Sequence, residues 1–311
     1  MANTSQITSF ILTAYGELED LSYFYFLLVL VLYLAIIFSN SILICAIYLD
    51  RQFHKPMYCF VCNLCVNGLY GSMGLFPCLL VNILSDKHEI SRSSCLMQIF
   101  CLHTYGVCEF TNLAVMAYDR YVSICYPLQY STIMSPFKAN AFITFVWLFP
   151  FCKSSVTVAL TSQLPLCGMY VEKLYCDNFS LVNLACTNTT VNNIYGLISL
   201  SLSVVPQLSL IVYSYAKILK ISLKASNSSR AKAINTCTPH IISLANFSIA
   251  CTFEILQSRF DMSKVPRGFR IVVSVYALLF TPLLNPIIYG IRSETVRKSI
   301  LKILRATVQN R

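Results

Sequence analysis

Asp119 and Arg120 stand side by side at the end of a long apolar stretch. An acid and a base placed together at a membrane surface can neutralise each other or exchange partners, which suits a switch better than an anchor. Two more charges interrupt apolar runs: Glu109 within residues 95–121 and Lys153 within residues 139–161. A carboxyl in mid-membrane has to be protonated, hydrogen-bonded to neighbours such as Asn112, or solvated by internal water. The four histidines (His54, His88, His103 and His240) are scattered singly, so nothing in the sequence suggests a metal centre or the catalytic cluster of a membrane enzyme. Most of the fifteen cysteines read as small apolar packing residues, whereas Cys95, Cys167, Cys176 and Cys186 fall where an oxidising compartment would pair them. Four cysteines allow three pairings, and sequence alone does not choose among them.

The elements that carry these groups follow from composition. With 56% apolar and 12% charged residues, the 311-residue chain lies outside the usual soluble range, in which about a quarter of residues are charged. It reads as an all-α membrane protein. Charge-free runs long enough for the roughly 20 residues of a bilayer helix cover residues 21–49, 56–85, 233–253 and 271–291. A fifth span begins near residue 192, after a polar stretch, and the runs around Glu109 and Lys153 bring the total to seven. An odd number puts the termini on opposite sides.

Basic residues concentrate in 50–55, 120–138, 217–232 and the tail from 292, which makes those faces cytoplasmic and the N-terminus external. One domain results, with residues 1–22 and the loop 162–191 outside. Residues 292–311 form a cytoplasmic tail whose alternating basic and apolar residues suit a helix lying on membrane lipids. Asn3, in Asn-Thr-Ser, fits a glycosylation acceptor on the external side. The net charge of +10 belongs to these loops and does not point to nucleic acid, because no basic run is interleaved with an aromatic platform. Nor do Glu109 and Lys153 make the ionisable path that a transporter or channel needs.

Residues 116–130, Met-Ala-Tyr-Asp-Arg-Tyr-Val-Ser-Ile-Cys-Tyr-Pro-Leu-Gln-Tyr, closely resemble the end of the third span in odorant receptors, a branch of the rhodopsin-type G-protein-coupled receptors. Residues 232–240, Lys-Ala-Ile-Asn-Thr-Cys-Thr-Pro-His, resemble that family's opening of span six, and residues 282–289, Pro-Leu-Leu-Asn-Pro-Ile-Ile-Tyr, its motif in span seven. Residues 67–72 are similar to those of fish odorant receptors. The resemblance implies a seven-transmembrane helix bundle in which Arg120 pairs with Asp119 when silent and is released when the helices part. Tyr121, Tyr215, His240, Asn285, Pro286 and Tyr289 are the further switch and G-protein-coupling positions it implies; Pro286 lacks a backbone N–H, so the helix can bend there. It also implies the disulfides Cys95–Cys176 and Cys167–Cys186, which would hold the long loop as a lid. Where odorant receptors commonly carry an aspartate in span two, this chain has Gly68, with Asn67 beside it, so the family's sodium pocket loses one of its two acids. No metal and no cofactor is implied, and residues 271–291 contain no lysine to form a Schiff base with retinal.

By the family's pattern, the ligand cavity lies among the outer halves of spans three, five, six and seven. The candidate lining residues are His103, Gly106 and Val107, then Ser199 and Ser203, then Cys251, Thr252 and Ile255. Leu102 stands where amine receptors carry an aspartate, which removes the anchor for amines. Arg259, at the outer end of span six, resembles the arginine that holds acidic ligands in receptors for water-soluble odorants, and a guanidinium can grip a carboxylate with two parallel hydrogen bonds. The function implied is an odorant receptor in the plasma membrane of olfactory sensory neurons. It would bind a small-molecule odorant, acidic and water-soluble if Arg259 holds it, and activate a heterotrimeric stimulatory G-protein to raise cAMP while catalysing nothing itself. A non-olfactory chemosensory receptor of the same fold is the alternative.

Overall fold

In lipid an apolar run satisfies its backbone only as a helix or within a closed barrel, and this chain takes the helical solution throughout. The computed structural model describes residues 7–18, 21–259, 265–292 and 294–309. In chain order its helices are Ser22–Leu49 (α1), Pro56–Ile83 (α2), Arg92–Cys125 (α3), Tyr130–Ile133 (α4), Pro136–Ser162 (α5), Asn178–Asn183 (α6), Thr190–Ser222 (α7), Asn227–Arg259 (α8), Arg267–Arg292 (α9) and Glu294–Gln309 (α10). The seven long ones are α1, α2, α3, α5, α7, α8 and α9, and α10 folds back against α1 and α9. Proline at the first turn opens α2 and α5, where its missing N–H costs nothing. The side chains of Ser91 and Ser135 cap α3 and α5 by accepting from the backbone N–H three residues on.

Several helices outrun the expected spans. α7 and α8 have 33 residues each, about 50 Å at 1.5 Å per residue, against a hydrocarbon core of about 30 Å. Hydropathy marks the part that lipid covers, while the backbone ladder continues past it. By length and composition, α1, α2, α5, α7 and residues 227–256 of α8 are apolar enough to cross a membrane. α1 is apolar almost all round and leaves Tyr23, Phe24, Leu27, Val31, Leu34 and Phe38 exposed, as a lipid-facing helix should. α3 is the opposite case. It packs against α2, α5, α7 and α8, and that enclosure accommodates Glu109, Asn112 and Asp119, all fully buried.

Residues 7–18 do not form a free end. Ser9–Leu12 (β1) pairs antiparallel with Glu89–Ser91 (β2) and parallel with Tyr170–Val171 (β3), in the order β2-β1-β3. Phe10, Leu12, Ala14 and Tyr15 are buried in a core shared with Leu75, Phe76, Ile99, Tyr175 and Leu181. The loop between α5 and α7 carries β3 and α6, so the expected lid is a small folded layer over one end of the bundle.

Candidate functional site

At the lid end, disulfides join Cys95 to Cys176 and Cys167 to Cys186. Gln98 reinforces the first bridge: its Oε1 accepts from the Cys176 N–H at 2.8 Å, and its Nε2 donates to the Gly74 carbonyl at 3.1 Å. The Tyr15 hydroxyl donates to the Leu174 carbonyl at 2.8 Å, and burial raises its pKa well above the ordinary phenol value. Lys173 then ties the lid to α8. Its ammonium contacts Glu254 and lies 3.2 Å from Asp177, while the Tyr175 hydroxyl donates to the same Glu254 oxygen at 3.1 Å. Burial alone would make Lys173 a weaker base; the two carboxylates more than reverse that and raise its pKa.

Beneath the lid lies a cavity of about 300 Å³ between α3, α5, α7, α8 and α9, the size at which small-molecule pockets begin. His103, Gly106, Ser199, Cys251 and Ile255 line it. Val107, Ser203 and Thr252 do not. Ser203 sits one turn along α7 and spends its hydroxyl on the Ser199 carbonyl at 2.8 Å. Thr252 faces outward, since the residue after Cys251 is rotated by about 100° on the helix. Val107 follows Gly106 by about 100° on α3 and is off the wall; its carbonyl accepts from the Thr111 hydroxyl at 2.7 Å. The side chain of Arg259, and all of Asn3, lie outside the described residues. The cavity also takes in Lys153 from α5, which the family pattern does not name.

Below the cavity is a polar hub. Glu109 accepts from Asn67 at 2.8 Å and from Asn285 at 2.5 Å, tying α3 to α2 and α9. Asn112, the partner expected for Glu109, belongs elsewhere: its amide donates to the Phe60 carbonyl at 2.9 Å and its oxygen accepts from Asn63 at 3.3 Å. Three residues on in α3, it is nearly a turn lower and faces a different level of α2. Asn67 is thus the span-two polar contact, and its neighbour Gly68 lets α2 approach α9. A Cβ at 68 would stand 3.3 Å from the Pro282 Cβ and 3.4 Å from the Asn40 side chain.

The prolines free carbonyls that side chains then occupy. Pro286 leaves the Pro282 carbonyl to Asn40, which donates at 2.9 Å, and Pro150 leaves the Val146 carbonyl to the Cys108 thiol at 3.1 Å.

At the far end, Arg120 donates to Asp119 through Nη2 at 2.5 Å and Nε at 3.1 Å. The other Asp119 oxygen accepts from the Tyr130 hydroxyl at 2.6 Å. Burial and then that bond raise the Tyr130 pKa, which keeps the phenol a donor. The resemblance assigns Tyr130 no role, although it closes the recognised string. Tyr215 is hydrogen-bonded to His240 Nδ1, with the rings stacked 5.7 Å apart. His240 Nε2 meets the Leu113 carbonyl at 2.8 Å. A carbonyl only accepts, so in the neutral ring Nε2 carries the proton and Tyr215 donates to Nδ1. Tyr121 lies among Tyr118, Tyr126 and Tyr213. Tyr289 and Arg120 share a second cavity of about 250 Å³ with Asn235 and Pro239 of α8.

Seven long helices, a disulfide-held lid over a cavity and an Asp-Arg pair at the opposite end define a rhodopsin-type G-protein-coupled receptor. The fold is similar to that in the crystal structure of squid rhodopsin, with a TM-score of 0.73 over 94% of this chain and 82% of that one at 15% identity. A model of the olfactory receptor family matches residues 29–307, and the chain belongs to that family. It is 38% identical to olfactory receptor 4N5 of Homo sapiens over 97% of each chain. It is 33% identical to olfactory receptor 6N1 of Homo sapiens over 97% of each, and 34% identical to olfactory receptor 4B13 of Mus musculus over 96% of this chain and 97% of the relative. It is therefore a multi-pass membrane protein of a family of receptors rather than enzymes, with a small-molecule ligand and G-protein coupling.

Proposed function

We propose that the chain is an odorant receptor that takes a small-molecule odorant into the lid-end cavity and activates a heterotrimeric G-protein of the stimulatory class, raising cAMP. In this reading it sits in the plasma membrane of olfactory sensory neurons. The lid, with residues 1–22 and 162–191, faces outside, and Arg120 and the tail helix on membrane lipids face the cytoplasm. The observation that carries the reading is that one buried helix serves both ends. α3 lines the cavity with Leu102, His103 and Gly106, meets α2 and α9 at Glu109, and carries Asp119 and Arg120 in its last two turns. A ligand shifts such a bundle only if it binds the released arrangement more tightly than the paired one. Contact with Cys251 and Ile255 of α8 would supply that difference by moving the helix that holds His240.

The test is cAMP in cells expressing the receptor with its G-protein, challenged with carboxylic acids, amino acids and neutral volatiles. An odorant-dependent rise that Arg120→Ala abolishes at equal surface expression is expected. A rise that survives Arg120→Ala would reject the switch, and ligand-dependent exchange on another G-protein class without cAMP would reject the coupling.

A further inference from the structure

Among the described residues, Lys153 is a cation without a counter-ion in the wall of a largely apolar cavity. It lies nine residues before the end of α5, roughly 13 Å below the lid end at 1.5 Å per residue. The same wall holds Leu160, Val182, Leu200 and Phe247, with His103, Asn192 and Asn193 among its neutral polar members. Two acids line the same space, Asp177 and Glu254, and Lys173 of the lid holds both. The ion pairs among the described residues are those two and Arg120 with Asp119. Lys153 is in none of them.

Its backbone is fixed from two sides, because the Lys153 carbonyl accepts from the Tyr195 hydroxyl of α7 at 3.0 Å and from Thr157 at 3.2 Å. The side chain is therefore presented from a braced position. Lys153 is half-buried, and a charge held partly out of water is costly unless paired. A lysine kept in such a place without a protein partner fits a ligand that brings the opposite charge.

We infer that Lys153 is the ligand anchor, and that the cognate ligand is a carboxylic acid whose apolar body fills the cavity while its carboxylate pairs with the Lys153 ammonium. This deepens the odorant-receptor reading and rests on it. It also separates the acid site from Arg259, which ends α8 at the rim, a turn beyond Ile255. Lys153 would select by charge, and the size of the cavity by length. An alcohol or amine of the same length would leave the ammonium unpaired or repelled.

The experiment uses the full receptor in two formats. In cells, cAMP is read for straight-chain acids from propanoic to dodecanoic, with the matched alcohols, aldehydes and amines. In detergent, thermal shift with the same probes reports binding whether or not the G-protein responds. The wild type should prefer an acid of intermediate length in both formats. Lys153→Met should weaken that acid at least tenfold relative to the matched alcohol, Lys153→Arg should keep the preference, and ligand-free Lys153→Met should melt higher than wild type because an unpaired cation has gone. A merely structural lysine would give the opposite sign in that last melt.

Acid-dependent thermal shift lost in Lys153→Met, with no cAMP response in the wild type, would support the anchor and reject the stimulatory coupling. Three results would overturn the anchor and leave the receptor reading standing: cAMP responses to neutral probes alone, acid potency unchanged in Lys153→Met, or acid potency lost in Arg259→Ala while Lys153→Met keeps it. A thermal shift from none of the acids would also overturn it.

Discussion

Single residues decide how closely the helices of this receptor can meet. Gly71 is the tightest case, since a Cβ there would stand 2.4 Å from the Tyr105 ring. Gly71→Ala should therefore cost about 1–3 kcal/mol by overpacking, seen as a lower melting temperature of the purified receptor. Gly68→Asp, which would restore the acid common in the family, meets Pro282 and Asn40 first and is expected to lower surface expression rather than rebuild a cation site. Glu109 depends on its two amide donors. Removing one in Asn67→Ala leaves a buried carboxyl oxygen without its partner, a loss of about 1–3 kcal/mol. An unchanged melt for that variant would mean that water takes over.

At the scale of elements, the lid holds by a strand and an ionic tie as well as by disulfides. Phe10 of β1 is fully buried, and Phe10→Ala should cost about 3–5 kcal/mol of local stability. The readout is faster proteolysis within residues 162–191 and faster amide exchange at Tyr170 and Val171; equal rates would show that the disulfides suffice. Tyr15 and Lys173 both have raised pKa values in the fold. A raised value means that the contribution is complete below the unfolded pKa and is lost as pH rises through the folded one. The lid should accordingly be indifferent between about pH 7 and 9 and loosen above about pH 10, where unfolded Tyr and Lys titrate. Melting curves taken across that range test this, and a profile that stays flat past pH 10 would contradict it.

For the whole molecule, the question is what links cavity to switch. Asp119 is shared between Arg120 and Tyr130, so freeing Arg120 requires giving up one bond pattern while the other still holds the acid in place. Asp119→Asn should raise ligand-free cAMP several-fold at equal surface expression, and Tyr130→Phe should raise it less. Should both variants match wild type, the closed state is held by the helix contacts around His240 and Leu113 instead. Those contacts do not touch the ligand, so ligand-induced thermal stabilisation is expected to survive every one of these changes.

The most apolar segments could be read from the sequence as lipid-spanning, because for α1, α2, α5, α7 and most of α8 composition suffices, whereas α3 crosses with its charges enclosed by neighbouring helices. The sequence also held the receptor family in contiguous strings such as residues 116–130, and the cysteines of the lid in short strings that the family resemblance could pair. Tertiary structure decided which face of each helix looks inward. That choice is set by rotation against neighbours, and it sent Glu109 to Asn67 and Asn285 rather than Asn112, turned Thr252 out and brought Lys153 in. The N-terminal strand belongs to the same class: four residues of ordinary β character acquire their meaning only when β2 and β3 pair with them and Phe10 is buried in the core beneath. Hydropathy sums over one helix, whereas a site is a property of several helices at once, and only their packing brings its residues together.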